Sequence, residues 1–184
     1  MRYSIIYITN RPEPLLHWTI GSLVRDIPSE DIAQTQLIVV DRIAHNDGRP
    51  EWFKEHKHLD KFGEVTHVPV KSNVWAGKWR LTPVDYFAAS NFRNTGLLHA
   101  RAEHIAFIDD LSYVCPGWWD HVKQSEAEQA IFLGTYEKRK HMCVEDGVLL
   151  GSEQHQAGID TRMQQVSAHN TEPFACAGSW MYGC

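Results

Sequence analysis

No apolar run in the chain is long enough for a membrane span. The amino terminus, MRYSIIYITN, has one basic residue and an apolar stretch too short for a signal-peptide core. A cytoplasmic location is the expectation. Cysteine is scarce: Cys115, Cys143, Cys176 and Cys184 show no C-x-x-C spacing, and the chain is no small secreted scaffold. Buried thiols are therefore expected rather than disulfides or zinc ligands. Neither G-x-G-x-x-G nor G-x-x-x-x-G-K-[ST] occurs, which leaves dinucleotide dehydrogenases and P-loop nucleotidases without support. No H-E-x-x-H fixes a metal around His56, His58 and His67, so these are expected on the surface. Lysine and arginine are spread through the sequence and the net charge is −5, so no basic stripe offers a footprint for nucleic acid. Internal repeats and low-complexity tracts are absent.

What is present is enough apolar material for one ordinary domain: 184 residues, 43% of them hydrophobic and 22% charged. Strands and helices alternate. Residues 3–9 (YSIIYIT) read as a buried strand, and Pro12 and Pro14 suit the first turn of a helix carrying Leu16, Ile20, Leu23 and Val24 on one face. Residues 36–40 (QLIVV) form a second apolar run, closed by Asp41 and followed by the turn-rich 44–48. Residues 65–70 read as a short strand in which Pro69, unable to donate to a ladder, marks a sheet edge or a strand end. Helical character from Pro83 to Arg101 leads into a strand at 104–108 (HIAFI), closed by Asp109 and Asp110. After Pro116-Gly117 comes an amphipathic stretch, then a strand at 130–136. Asp146-Gly147 between two short apolar runs predicts a tight hairpin, and the Gln-rich 151–165 a mobile loop. This alternation predicts an α/β fold with a mostly parallel sheet flanked by helices.

In open α/β sheets ligands bind beyond the carboxyl ends of the strands, where Thr9, Asn10, Arg11, Asp41, Asp109 and Asp110 fall. Two adjacent carboxylates repel, a cost that a divalent cation, a basic side chain or helix-start amides can offset. A solvated turn or a helix N-cap fits the pair equally, and a lone Asp41 suits an Asx-turn. On the preceding helix Phe87, Asn91, Asn94, Leu98 and Arg101 share one face, with the two amides either bonding nearby backbone or, together with Arg93, holding a loop or a phosphate near Asp109. Lys78 and Arg80 read either as cations for the same phosphates or as exposed loop charges. Trp118, Trp119 and Trp180 suit core or interface as well as sugar stacking.

Residues 88–119, AASNFRNTGLLHARAEHIAFIDDLSYVCPGWW, resemble the segment of family 2 glycosyltransferases in which an R-N-x-G helix leads to a strand, the Asp-rich donor motif and P-G-W. The first strand with Thr9 and Arg11, the second ending at Asp41, and the late CAGSWMYGC fall in the same order. The resemblance implies a GT-A fold, with 1–184 one domain: 1–119 binding the nucleotide sugar and 120–184 beginning an acceptor-side part that continues elsewhere. It implies that Thr9 and Arg11 line the base and ribose pocket, that Asp41 accepts a hydrogen bond from the base, and that Arg93 and Asn94 support the donor loop. Asp109 would face the ribose or donor sugar, and Asp110, with Asp109, would ligate Mg²⁺ or Mn²⁺ on the diphosphate. Where the family often has a third acid, Leu111 stands here. The catalytic base is expected after CAGSWMYGC, so Glu145-Asp146 is read as a turn rather than the base. The implied reaction is sugar transfer from a nucleoside diphosphate to a hydroxyl of a glycan or other acceptor, with inversion. Homo-oligomer formation is compatible with it. The alternatives are a donor-binding module without catalysis and a purely structural α/β domain; a nucleotidyltransferase lacks its Gly-rich loop after the first strand.

Overall fold

A computed structural model describes residues 1–132 and 139–154. Four of the apolar runs become strands, β1 (Tyr3–Thr9), β2 (Thr35–Asp41), β3 (Glu64–Val68) and β4 (His104–Asp109), in one sheet ordered β3-β2-β1-β4. Every pairing is parallel. The central strands β1 and β2 are buried along their whole length, which is why they read as unbroken apolar runs rather than alternating ones. β3 is an edge and stops one residue before Pro69, as a residue without an N–H requires. The helices are α1 (Leu16–Asp26), α2 (Ser29–Ile32), α3 (Arg49–Lys54), α4 (Ala89–His99) and α5 (Trp118–Glu128), which with the parallel sheet make an α/β fold, and β5 (Arg139–Glu145) with β6 (Val148–Gln154) forms an antiparallel hairpin.

The chain divides into two compact units, one of residues 1–14 and 29–110, the other of 15–28 and the described residues from 111 onward. In the first, Ile6, Ile8, Ile38 and Val40 on one sheet face pack with Phe92 of α4. Gly96, one turn further along α4, is where helix meets strand: a Cβ there would run into the side chain of Ile6. In the second, both carboxylate oxygens of Asp26 cap the start of α5, accepting from the amides of Gly117 (2.6 Å) and Trp119 (2.7 Å). Those bonds satisfy two amides that α5 cannot bond internally. The hairpin turn is built as its sequence predicts, with Asp146 and Gly147 both at positive φ (45° and 75°), the backbone of a type I′ turn.

Several expectations need correction. The helix before the acid pair covers 89–99 rather than 83–101, since residues 73–87 are held by their own turns: the Trp75 carbonyl accepts from the Tyr86 amide and the Val74 carbonyl from Leu81. Its inward face is Asn91, Phe92, Thr95 and Gly96, while Asn94 is exposed and Leu98 is 72% exposed. Phe92 sets that rotation because it is the bulkiest apolar side chain the helix can bury. Pro12 and Pro14 precede α1 rather than starting it, with Leu15 in the left-handed region between them and the helix. Residues 151–154 belong to β6 rather than a loop. Cys143 is exposed and Cys115 half-buried rather than in the core. Lys78 and Arg80 are exposed, Lys78 over the Trp79 ring and Arg80 paired with Asp85. Trp118 and Trp119 are buried. Most of the strand expected at 130–136, the loop beyond 154, CAGSWMYGC, Trp180, Cys176 and Cys184 lie outside the described residues. Among the described residues no helix is long and apolar enough to cross a membrane.

Candidate functional site at the carboxyl ends of the strands

Strand register brings the expected residues together. It sets Thr9 opposite Asp41 and Ile8 opposite Asp109, so the next residue, Asp110, falls beside Thr9. The Thr9 hydroxyl donates to Asp110 Oδ2 at 2.9 Å and accepts from the Arg11 amide at 3.1 Å. Arg11 Nε also reaches Asp110 Oδ2, at 3.1 Å. Arg93 donates from α4 to Asp109 Oδ1 at 2.6 Å. Immediately after the acids Leu111 adopts a φ of 58°, in the left-handed region that few non-glycine residues visit. The acid pair is thus offset by two guanidiniums, and the reading of it as an N-cap for a short helix before Pro116 fails because no helix forms between β4 and α5.

These pairs are built to exchange. Arg93 and Asp109 have side chains 35% and 44% exposed, and Arg11 is 56% exposed. Ion pairs at such exposure contribute only ~0–1 kcal/mol, so a ligand that offers either partner a better bond displaces it at little cost. Magnesium usually binds through one or two carboxylates plus substrate phosphates. Asp109 and Asp110 fit that mode, and among the described residues no group of three or more potential ligands suggests a cage made by protein alone.

Asp41 is different. It is 0% exposed, and its oxygens accept from the Ile43 amide (3.1 Å) and Arg49 Nε (2.6 Å), with His67 Nε2 3.1 Å away. The bond to Ile43 is the expected Asx-turn. Burial alone would raise its pKa, but the bonds from His67, Arg49 and Ile43, with the Arg49 charge, outweigh that and hold the carboxyl below its ordinary range. His67 is therefore no surface histidine: its side chain is 9% exposed and its ring stacks on Phe53 at 4.2 Å. Arg49 went unnoticed in the sequence. A lone Arg between Gly48 and Pro50 carries no pattern, and only its burial and partners mark it.

Asn94 is exposed next to Arg93 and takes no part in these pairs, and Asn91 donates to the Lys71 carbonyl at 2.8 Å. Asn10, directly after β1, holds a buried side-chain oxygen without a hydrogen-bond partner among the described residues. The amino ends of the strands offer the contrast. There Gln36 uses all four of its bonding positions: it accepts from Ser4 Oγ (2.9 Å) and the Arg101 amide (3.1 Å), and donates to Glu64 Oε1 (3.1 Å) and the His99 carbonyl (3.1 Å). One end of the sheet is closed and satisfied, and the other keeps exchangeable charges and an unmet acceptor.

No family model matches the chain, and no curated protein sequence matches it. Among solved structures it is similar to S. aureus TarS 1-349 in complex with UDP-GlcNAc, at 19% identity and a TM-score of 0.53, over 79% of this chain and 37% of that one. The complex of TarS 1-349 with UDP is also similar, at 19% identity and a TM-score of 0.48, over 80% of this chain and 38% of that one. The chain thus spans well under half the length of the structures it matches. What the likeness shows is the architecture alone, an α/β fold on a mostly parallel sheet.

Proposed function

We propose that this chain is the donor-binding part of a glycosyltransferase of the family 2 type, which transfers a sugar from a nucleoside diphosphate to an acceptor hydroxyl with inversion. The observation that carries the reading is the convergence of Thr9, Arg11, Arg93, Asp109 and Asp110 at the carboxyl ends of a parallel sheet, in pairs weak enough to open. Arg11 and Thr9 would line the base and ribose, and the buried Asn10 oxygen would gain the donor it lacks from a ligand N–H or O–H. Asp41, at the end of β2, would turn its remaining acceptor capacity to the base. Arg93 would leave Asp109 for a phosphate oxygen, with Asn94 beside it, while Asp109 turns to the ribose or sugar hydroxyls. Asp110 and Asp109 would hold Mg²⁺ or Mn²⁺ with the diphosphate, and the bound ion supplies charge neutralisation for the leaving group. The protein's part is positional and electrostatic: it orients the donor and stabilises the departing diphosphate, while a base outside this site takes the acceptor proton. UDP-GlcNAc bound to TarS in the similar structure supports a uridine donor as the first to try.

Amide shift mapping tests the location. Adding UDP and Mg²⁺ to the ¹⁵N-labelled chain is expected to move Thr9 to Arg11, Arg93, Asp109 and Asp110, and to leave Ser4 and Gln36 in place. Shifts at the amino ends of the strands instead, or none with any nucleoside diphosphate, would remove the reading. Binding without donor hydrolysis or transfer would favour a donor-binding module.

A further inference from the structure

Arg49 holds the end of one strand to the loop that follows another. Its Nε donates to Asp41 Oδ2 at 2.6 Å, its Nη1 to the Pro12 carbonyl at 2.7 Å, and its Nη2 to the Arg11 carbonyl at 3.2 Å. The guanidinium lies 3.5 Å from the centre of the Trp52 ring, and the residue is 6% exposed. Residues 10–14 have two prolines and so few amides of their own to bond; the Arg11 amide goes to Thr9. Donation by Arg49 to the Pro12 and Arg11 carbonyls therefore supplies the tie that local backbone bonding cannot. Only a planar fork reaches a carboxylate and two carbonyls at once, since a lysine ammonium is a single point of charge.

We infer that Arg49 is a positioning residue. It fixes the loop after β1 so that the Arg11 side chain is delivered to Asp110 and the Asn10 oxygen is buried toward the ligand, and it touches no ligand itself. The inference rests on the donor-site reading for its consequence but not for its geometry. Asp41, through Arg49, then shapes the neighbouring loop as well as its own turn, and the buried charge pair transmits the position of β2 to the residues beyond β1.

Two readouts on Arg49→Lys decide it. In the ligand-free chain, hydrogen exchange at the Arg11 amide is expected to rise about tenfold or more as the loop loosens, with the amides of Ile6 and Ile38 unchanged. In titrations with UDP and Mg²⁺, Arg49→Lys is expected to weaken binding about tenfold, as it would if the loop held its competent shape a tenth of the time. In an Arg11→Ala background the same substitution is expected to weaken binding by clearly less than tenfold, because one of the two groups it positions, Arg11, is gone and only Asn10 remains. Trp52→Leu keeps every hydrogen bond of Arg49 and removes only the ring beneath it, so it serves if the lysine variant does not fold. It is expected to raise Arg11 exchange about threefold, within the range of local opening. Unchanged Arg11 exchange in the folded variants overturns the inference, as does an equal binding loss in both backgrounds. If the unaltered chain binds no nucleoside diphosphate, the donor-site reading falls and the exchange measurement alone judges Arg49.

Discussion

Asp41→Ala is expected to cost the fold about 3–5 kcal/mol, the loss that follows when one partner of a buried ion pair is removed. The size comes from what is left behind. Arg49, 6% exposed, would keep its charge with no carboxylate to meet it, and the His67 ring and the Ile43 amide would each lose an acceptor. Asp41→Asn keeps the shape and an acceptor and removes only the charge, so its loss should fall between alanine and the unaltered chain. Urea unfolding at neutral pH measures both. The pH dependence gives a separate check. The Asp41 carboxyl sits below its ordinary 3.8 in the folded chain, so folding favours the ionised form. Its contribution is present in full above the unfolded value and is lost as pH falls through the folded one. The gap between the unaltered chain and Asp41→Ala should therefore be constant at mildly acidic and neutral pH and shrink once pH drops below that value. A loss smaller than about 1 kcal/mol, the size of a surface pair, would contradict a buried strut.

Gln36→Leu is expected to destabilise by about 2–4 kcal/mol, because buried polar groups stripped of partners lose roughly 1–3 kcal/mol each. Leucine fills much of the volume, so packing is not the main term. The Ser4 hydroxyl is buried and would have no acceptor, the His99 carbonyl would lose a donor and the Arg101 amide its acceptor. Glu64 is only half-buried and keeps Arg101 as a partner, so water and that pair limit its loss. Thermal or urea unfolding reads the effect. Nucleotide binding should stay within twofold of the unaltered chain, since Gln36 lies at the opposite strand ends from the candidate site. A binding loss matching the stability loss would mean that the two ends of the sheet are not independent.

The parts of this fold that show in the sequence are those set by short-range rules. Strands β1 and β2 are buried on both faces and so read as the unbroken runs YSIIYIT and QLIVV. The ends of β1, β2 and β4 place Thr9, Asp41, Asp109 and Asp110 because a parallel sheet gathers all its carboxyl ends on one edge. Asp146-Gly147 announces its turn because only a few residue types tolerate two successive positive φ values. The rest depends on partners far along the chain. Arg49 binds carbonyls 37 and 38 residues before it, and His67 finds Asp41 26 residues away, with no period or motif to betray either bond. The buried face of α4 differs from the one its spacing predicts for a related reason. Spacing alone allowed several stripes, and the choice among them was made by Phe92 and by the close approach of Gly96 to Ile6.

The central claim, a donor diphosphate site at the carboxyl ends of β1, β2 and β4, is tested most directly by calorimetric titration of UDP and GDP with and without Mn²⁺, on the unaltered chain and on Asp110→Ala. Metal-dependent binding that falls at least tenfold in Asp110→Ala, in a chain that still folds, is the expected result. The variant gives up the Arg11 ion pair, worth ~0–1 kcal/mol with Arg11 56% exposed, and the acceptor of the Thr9 hydroxyl, whose loss costs about 1–3 kcal/mol. A folded chain that binds no nucleoside diphosphate, or one whose binding is the same without Asp110, would contradict the account.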